Sequence, residues 1–159
     1  HEFGGFNSSV DREGKCYNPD KSVWFQGRCL WTFSKLCSTY GIKQEWKQAC
    51  DKGAKFIKEH CIDKDGRMFF VVTKEGLPLR KRRYFYSESF LVVGFAEYYL
   101  ISGNKEDLDL AEKYFDLMLY ILATERIFLM RYRFLRYPEG KAKAATFSYD
   151  DGCHAERNT

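Results

Sequence analysis

Between residues 21 and 40 the chain is apolar on almost every side of a helix. KSVWFQGRCLWTFSKLCSTY has one arginine, Arg28, between Trp24 and Trp31. Asp20 or Ser22 can cap this helix, and Gly41 stops it. From about Lys43 to His60 the pattern changes. Trp46, Ala49, Cys50, Gly53, Phe56 and Ile57 recur at helical spacing, and Lys47, Asp51, Lys52, Lys55 and Lys58 take the other face. A third helix, Tyr86 to Ser102, is again apolar nearly all round and ends at Gly103. A fourth, Lys105 to Leu122, is amphipathic. Leu108, Ala111, Phe115, Met118 and Leu119 line one side, and Glu106, Asp109, Glu112, Lys113 and Asp116 the other. Two short hairpins complete the pattern. DREG turns an irregular one near the start. Glu75-Gly76 turns a second, which joins Met68–Thr73 to Leu77–Tyr84.

The helices repeat. Phe33 and Phe95, Gly41 and Gly103, Ala49 and Ala111, and Ile57 and Leu119 each stand 62 positions apart (33 to 95). A helix apolar on every side is enclosed, whereas an amphipathic one faces water. Inner and outer helices therefore alternate, as in an α/α toroid or an α-solenoid. The fold class is all-α with short β-hairpin insertions.

Positions 24, 28 and 31 share one helical stripe, so Trp24, Arg28 and Trp31 can point together. Two indoles and a guanidinium suit a polyhydroxylated ligand or a developing enolate. Equally, Arg28 can pair with a carboxylate while the tryptophans fill a core. The repeat makes Trp24 and Tyr86 equivalent (24 to 86), with Arg28 one turn deeper.

The composition narrows the classes. Aromatic residues reach 18%, and net charge is +4 with both signs mixed. That is too mild a balance to imply nucleic acid or a membrane surface as partner. No apolar run approaches the ~20 residues that span a bilayer, and no signal peptide opens the chain. The six cysteines form no C-x-x-C pair, and four of them sit in helical segments, which suggests a reduced cytoplasmic protein. The run Arg80 to Arg83, RKRR, reads as a solvated strand, since no wider basic face accompanies it. No phosphate-binding loop is present.

Three segments together resemble the N-acylglucosamine 2-epimerase family, which includes cellobiose 2-epimerases and aldose–ketose isomerases. GGFNSSVDREGK resembles its G-G-F…D-x-x-G-K hairpin, and KSVWFQGRCLWTFSKLCSTYG its K-x-x-W-x-x-x-R-x-x-W-x-F helix. The segment from Gly66 to Gly103 resembles its S-E-x-F block. The likeness covers residues 3–120.

The resemblance implies part of an (α/α)6 toroid acting on a reducing sugar or N-acyl amino sugar. In the family, one histidine removes the proton at carbon 2 and another returns it. An arginine, here Arg28, stabilises the enediolate. Trp24, Trp31, Tyr86 and Glu88 follow as sugar-binding candidates. No metal or cofactor is implied. A nucleotide effector of the kind some relatives use has no motif here, and a homodimer is left open.

The chain also departs from the family. By this comparison it is expected to begin after the first barrel helix, and beyond Tyr120 nothing is similar. Residues 1–121 therefore read as a partial barrel domain and 122–159 as a divergent tail. His1, His60 and His154 do not match the catalytic histidines, so an incomplete, catalytically silent fragment is expected. An α/α-barrel glycoside hydrolase would need a carboxylate partner for Glu88. A helical carbohydrate-binding or protein-interaction module would need no catalytic groups.

Overall fold

A computed structural model of the chain describes residues 3–81 and 85–136. The elements follow in the order β1 (Ser9–Val10), β2 (Cys16–Asn18), β3 (Lys21–Ser22), α1 (Val23–Tyr40), α2 (Gln44–His60), β4 (Val71–Val72), β5 (Pro78–Arg80), α3 (Tyr86–Ser102) and α4 (Lys105–Arg136). Residues His1–Leu122 form one compact unit, and a second begins at Ala123. Both hairpins are present. β1 pairs antiparallel with β2, and its turn is closed by Asp11, whose carboxylate accepts from the Glu13 and Lys15 amides. The second hairpin is part of a three-stranded antiparallel sheet, β3-β4-β5. Its expected last residues, 82–84, lie outside the described residues.

The start of α1 differs slightly from expectation for a local reason. Lys21 and Ser22 are committed to the ladder with Val72 and Val71, so α1 begins at Val23. Neither Asp20 nor Ser22 caps it with a side chain. Instead the Val23 amide donates to the Phe70 carbonyl at 3.0 Å. The helix ends fall as the glycines predict. Gly103 adopts the left-handed conformation at φ 66°, and its amide donates back to Tyr99.

α1 packs against both α2 and α3. The α1–α3 contact is backbone-close because it is built on glycine. A Cβ on Gly27 would lie 2.5 Å from the Phe90 carbonyl oxygen, and one on Gly94 would lie 2.8 Å from the Gly27 carbonyl oxygen. The two helices that read as inner are thus neighbours. Leu30, Ile57, Leu91, Phe95 and Tyr114 meet in a shared core with Met68 and Val72 from the sheet region. The inner helices are not enclosed on all sides in this unit, since Trp31 is 41% exposed and Leu100 65%.

α2 buries the face its periodicity predicts, whereas α4 buries only part of its own, with Ala111 buried and Leu108 and Met118 half-buried. α4 seats Asp107, Ala111, Tyr114 and Ile121, while Phe115 and Leu119, expected on the inner face, are 45% and 47% exposed. Asp107 joins the buried stripe with its charge satisfied: Lys58 of α2 reaches it at 2.5 Å, and Ser102 donates to its other oxygen at 2.8 Å. α4 also runs past Leu122 to Arg136, because no glycine or proline interrupts the sequence there.

Candidate functional site

Trp24 lies in the first turn of α1, and its position is fixed from several sides. Its indole Nε1–H donates to Ser87 Oγ at 3.0 Å, and Ser87 Oγ donates in turn to the Phe69 carbonyl at 3.0 Å. The ring lies edge-on to Phe70, 5.0 Å between centroids, and tilted against Tyr86 at 5.3 Å. The offset of 62 therefore brings two equivalent inner-helix residues into contact. One turn on, the Arg28 guanidinium sits 5.5 Å from the Phe90 ring centroid, a cation–π distance. Among the described residues no carboxylate pairs with it, and the side chain is exposed.

Arg28 and Trp24 line a cleft of about 490 Å³. The start of the chain also lines it, through Ser8 and Ser9 on one side of the first hairpin and Asn18 and Asp20 on the other. Trp31 does not join this group. It sits nearly two turns from Trp24, exposed, and lines no part of the cleft. The shared stripe predicted from spacing thus splits.

Glu88 is placed differently from a sugar-facing acid. It is 1% exposed, and one carboxylate oxygen accepts from Arg67 Nε at 2.7 Å and from the Met68 amide at 3.2 Å. It ties the segment before β4 to the first turn of α3. Ser87 does the same one residue earlier, through Phe69. Glu88 therefore supports the wall behind Trp24 and is absent from the cleft lining.

Two residues that sequence reasoning passed over tie down the first segment of the chain. Gln26, fully buried in α1, accepts from the Phe6 amide at 2.7 Å and donates to the Phe6 carbonyl at 2.8 Å. A side-chain amide here completes a backbone ladder for the first segment. Lys21 is 1% exposed and donates to the carbonyls of Gly4 at 2.6 Å and Lys74 at 2.8 Å. Its ammonium lies 4.2 Å from the Phe56 ring centroid, and burial holds its pKa below the usual lysine range. The signal was available: a glutamine and a lysine inside an otherwise apolar stretch need buried acceptors or donors. Lys21→Met should cost about 2 kcal/mol by stranding these carbonyls, seen as a lower urea midpoint. An unchanged midpoint would show that the bonds are dispensable.

Other candidates resolve into structure. His60 packs on Phe56, 4.9 Å between ring centroids, at the end of α2. Lys81, from the basic run, is bound by Asp63 and by Asp65 at 2.6 Å, which fits a solvated strand; Arg82 and Arg83 lie outside the described residues, as do His1, Cys153 and His154. Cys37, Cys50 and Cys61 are buried free thiols, and burial raises Cys50 to about 11 and Cys61 to about 12. Among the described residues no cluster could hold a metal ion, and no helix is long and apolar enough to cross a membrane.

Residues 4–137 match the N-acylglucosamine 2-epimerase (GlcNAc 2-epimerase) family. The chain belongs to this family. The match runs past residue 121, where the likeness was expected to fade. Cellobiose 2-epimerase of Dictyoglomus turgidum is 35% identical over 111 residues, which are 68% of this chain and 28% of that protein. Human N-acylglucosamine 2-epimerase is 30% identical over 107 residues, 65% of this chain and 25% of its own length. Among solved structures, cellobiose 2-epimerase from Bacillus thermoamylovorans aligns with a TM-score of 0.67 at 27% identity, covering 73% of this chain and 30% of that one. A D-mannose isomerase shares the fold with a TM-score of 0.65 at 20% identity, covering 72% and 29%. The chain thus spans between a quarter and a third of these epimerases and forms part of an (α/α)6 toroid.

Proposed function

We propose that the chain supplies the arginine-bearing part of the sugar site in an aldose 2-epimerase or aldose–ketose isomerase. The observation that carries this is Arg28. Its guanidinium is exposed beside Trp24 in a cleft, has no acidic partner among the described residues, and lies within the segment matched to cellobiose 2-epimerases. A guanidinium with no acidic partner keeps its donors available where anionic oxygen develops.

The chemistry follows from the bond that must break. A proton on the carbon next to a carbonyl is very weakly acidic. Its loss moves charge onto the oxygens of an enediolate. Fixed guanidinium donors stabilise that charge more than they stabilise the neutral sugar, which lowers the barrier. Trp24, held by Ser87 and half-buried against Phe70, Tyr86 and Phe90, lends the cleft an aromatic edge for the C–H side of a sugar. The family resemblance assigns proton transfer to two histidines whose context this sequence lacks. The chain's own part is binding and charge stabilisation.

The test is a chimera in which residues 4–122 replace the matching segment of the Dictyoglomus enzyme. Arg28→Ala should lower its turnover of cellobiose by about a hundredfold with little loss of fold. Arg28→Lys should recover part of it, because an ammonium keeps the charge but not the planar fork. Normal turnover by Arg28→Ala would remove Arg28 from the site.

A further inference from the structure

Asp20 and Asn18 face the Arg28 cleft with unused hydrogen-bonding groups. Asp20 lies just before β3. Its backbone is fully engaged: its amide donates to Asn18 Oδ1 at 3.0 Å, and its carbonyl accepts from Ser8 Oγ at 3.0 Å. Its carboxylate has no hydrogen bond or ion pair among the described residues. Asn18 spends its side-chain oxygen on Asp20, and its amide NH2 has no partner among the described residues. Both residues, with Ser9, line the same cleft as Trp24 and Arg28.

This wall is built. Gln26 pins Phe6, Lys21 pins Gly4, and Asn18 holds Asp20 in a tight turn. A Cβ at Gly5 would lie 2.8 Å from Gln26 Oε1 and 2.9 Å from the Phe56 ring, so the first segment packs too closely for any larger residue. Lys21, next to Asp20 and paired with Val72, and the Ser8 hydroxyl bond to the Asp20 carbonyl fix where Asp20 stands.

We infer that Asp20 and Asn18 are the hydroxyl-binding residues of the sugar site, in the same cleft as the charge-stabilising Arg28. The inference rests on the sugar reading of the cleft. A carboxylate accepts two hydrogen bonds and suits adjacent hydroxyls. An amide NH2 donates to a hydroxyl oxygen. Arg28, donor only, suits the carbonyl end. A reducing sugar has this polarity, with an electron-rich carbonyl at one end and hydroxyls along the rest. Asp20 and Asn18 thus act in binding and orientation, and Arg28 acts on the reacting oxygens.

The experiment is a titration of the full ¹⁵N-labelled chain with cellobiose and with D-mannose, using glycerol as a non-sugar polyol. The amides of Ser9, Asn18 and Asp20 and the Trp24 indole N–H should shift with one saturable curve. Asp20→Asn should weaken that binding about tenfold, the cost of a lost charged acceptor, and leave the remaining spectrum unchanged. Asn18→Ala should weaken it less. Two results would overturn the inference in distinguishable ways. If the variants bind like the parent while Arg28→Ala does not, the hairpin wall is wrong and the sugar site stands. If the parent shifts with neither sugar, or equally with glycerol, the sugar reading of the cleft fails and the inference goes with it.

Discussion

Glu88→Gln is expected to destabilise the first unit by about 3 kcal/mol, the lower end of the range for breaking a buried ion pair. The carboxylate is 1% exposed and receives two hydrogen bonds, from Arg67 and the Met68 amide. Glutamine preserves size and can still accept from Met68. It removes the charge facing Arg67, and its new NH2 occupies the place of Oε2, which has no hydrogen-bond partner. Arg67 recovers some hydration, because its side chain is 25% exposed, and that keeps the cost from the top of the range. Urea denaturation followed by far-UV circular dichroism measures the change. A midpoint equal to the parent's, together with lost sugar binding, would instead make Glu88 a ligand residue, as its place in the S-E-x-F motif suggests.

Gly27→Val should also cost about 3 kcal/mol, for a steric reason. The first side-chain atom would meet the Phe90 backbone at 2.5 Å, and a backbone cannot rotate away. The helices α1 and α3 must separate, which pulls Trp24 from Tyr86 and Arg28 from Phe90. The sign of Gly27→Ala is the sharper check. In a free helix alanine is favoured over glycine by ~1 kcal/mol, so propensity alone predicts stabilisation. The close approach predicts net destabilisation by urea midpoint. A stabilised Gly27→Ala protein would mean that α1 and α3 are farther apart than described.

The sequence was most legible where one physical signal dominated. Gly41 and Gly103 end helices because only glycine takes positive φ without cost, and both ends fell where expected. The inner–outer alternation and the offset of 62 were visible because identical packing demands similar residues, and they placed Trp24 against Tyr86. Legibility failed where polar groups are buried. Asp107 is 2% exposed, and the partner that satisfies it there, Lys58, is 49 positions away and leaves no local signal. Lys21 escaped notice for the same reason, since its acceptors are backbone carbonyls 17 and 53 positions off, which have no sequence signature. Trp31 shows the limit of spacing. It shares a stripe with Arg28, but the cleft lies toward the first turn of α1, and the stripe leaves it before Trp31.

The central claim is that this helix pair carries the charge-stabilising half of a carbon-2 proton-transfer site. Its most direct measurement is the deuterium content at carbon 2 of the product that the chimera forms from cellobiose in deuterated water. The account predicts epimerised product with deuterium at carbon 2, formed about a hundredfold more slowly when Arg28 is alanine. A folded chimera that forms no such product, or forms it at the same rate without Arg28, would contradict it.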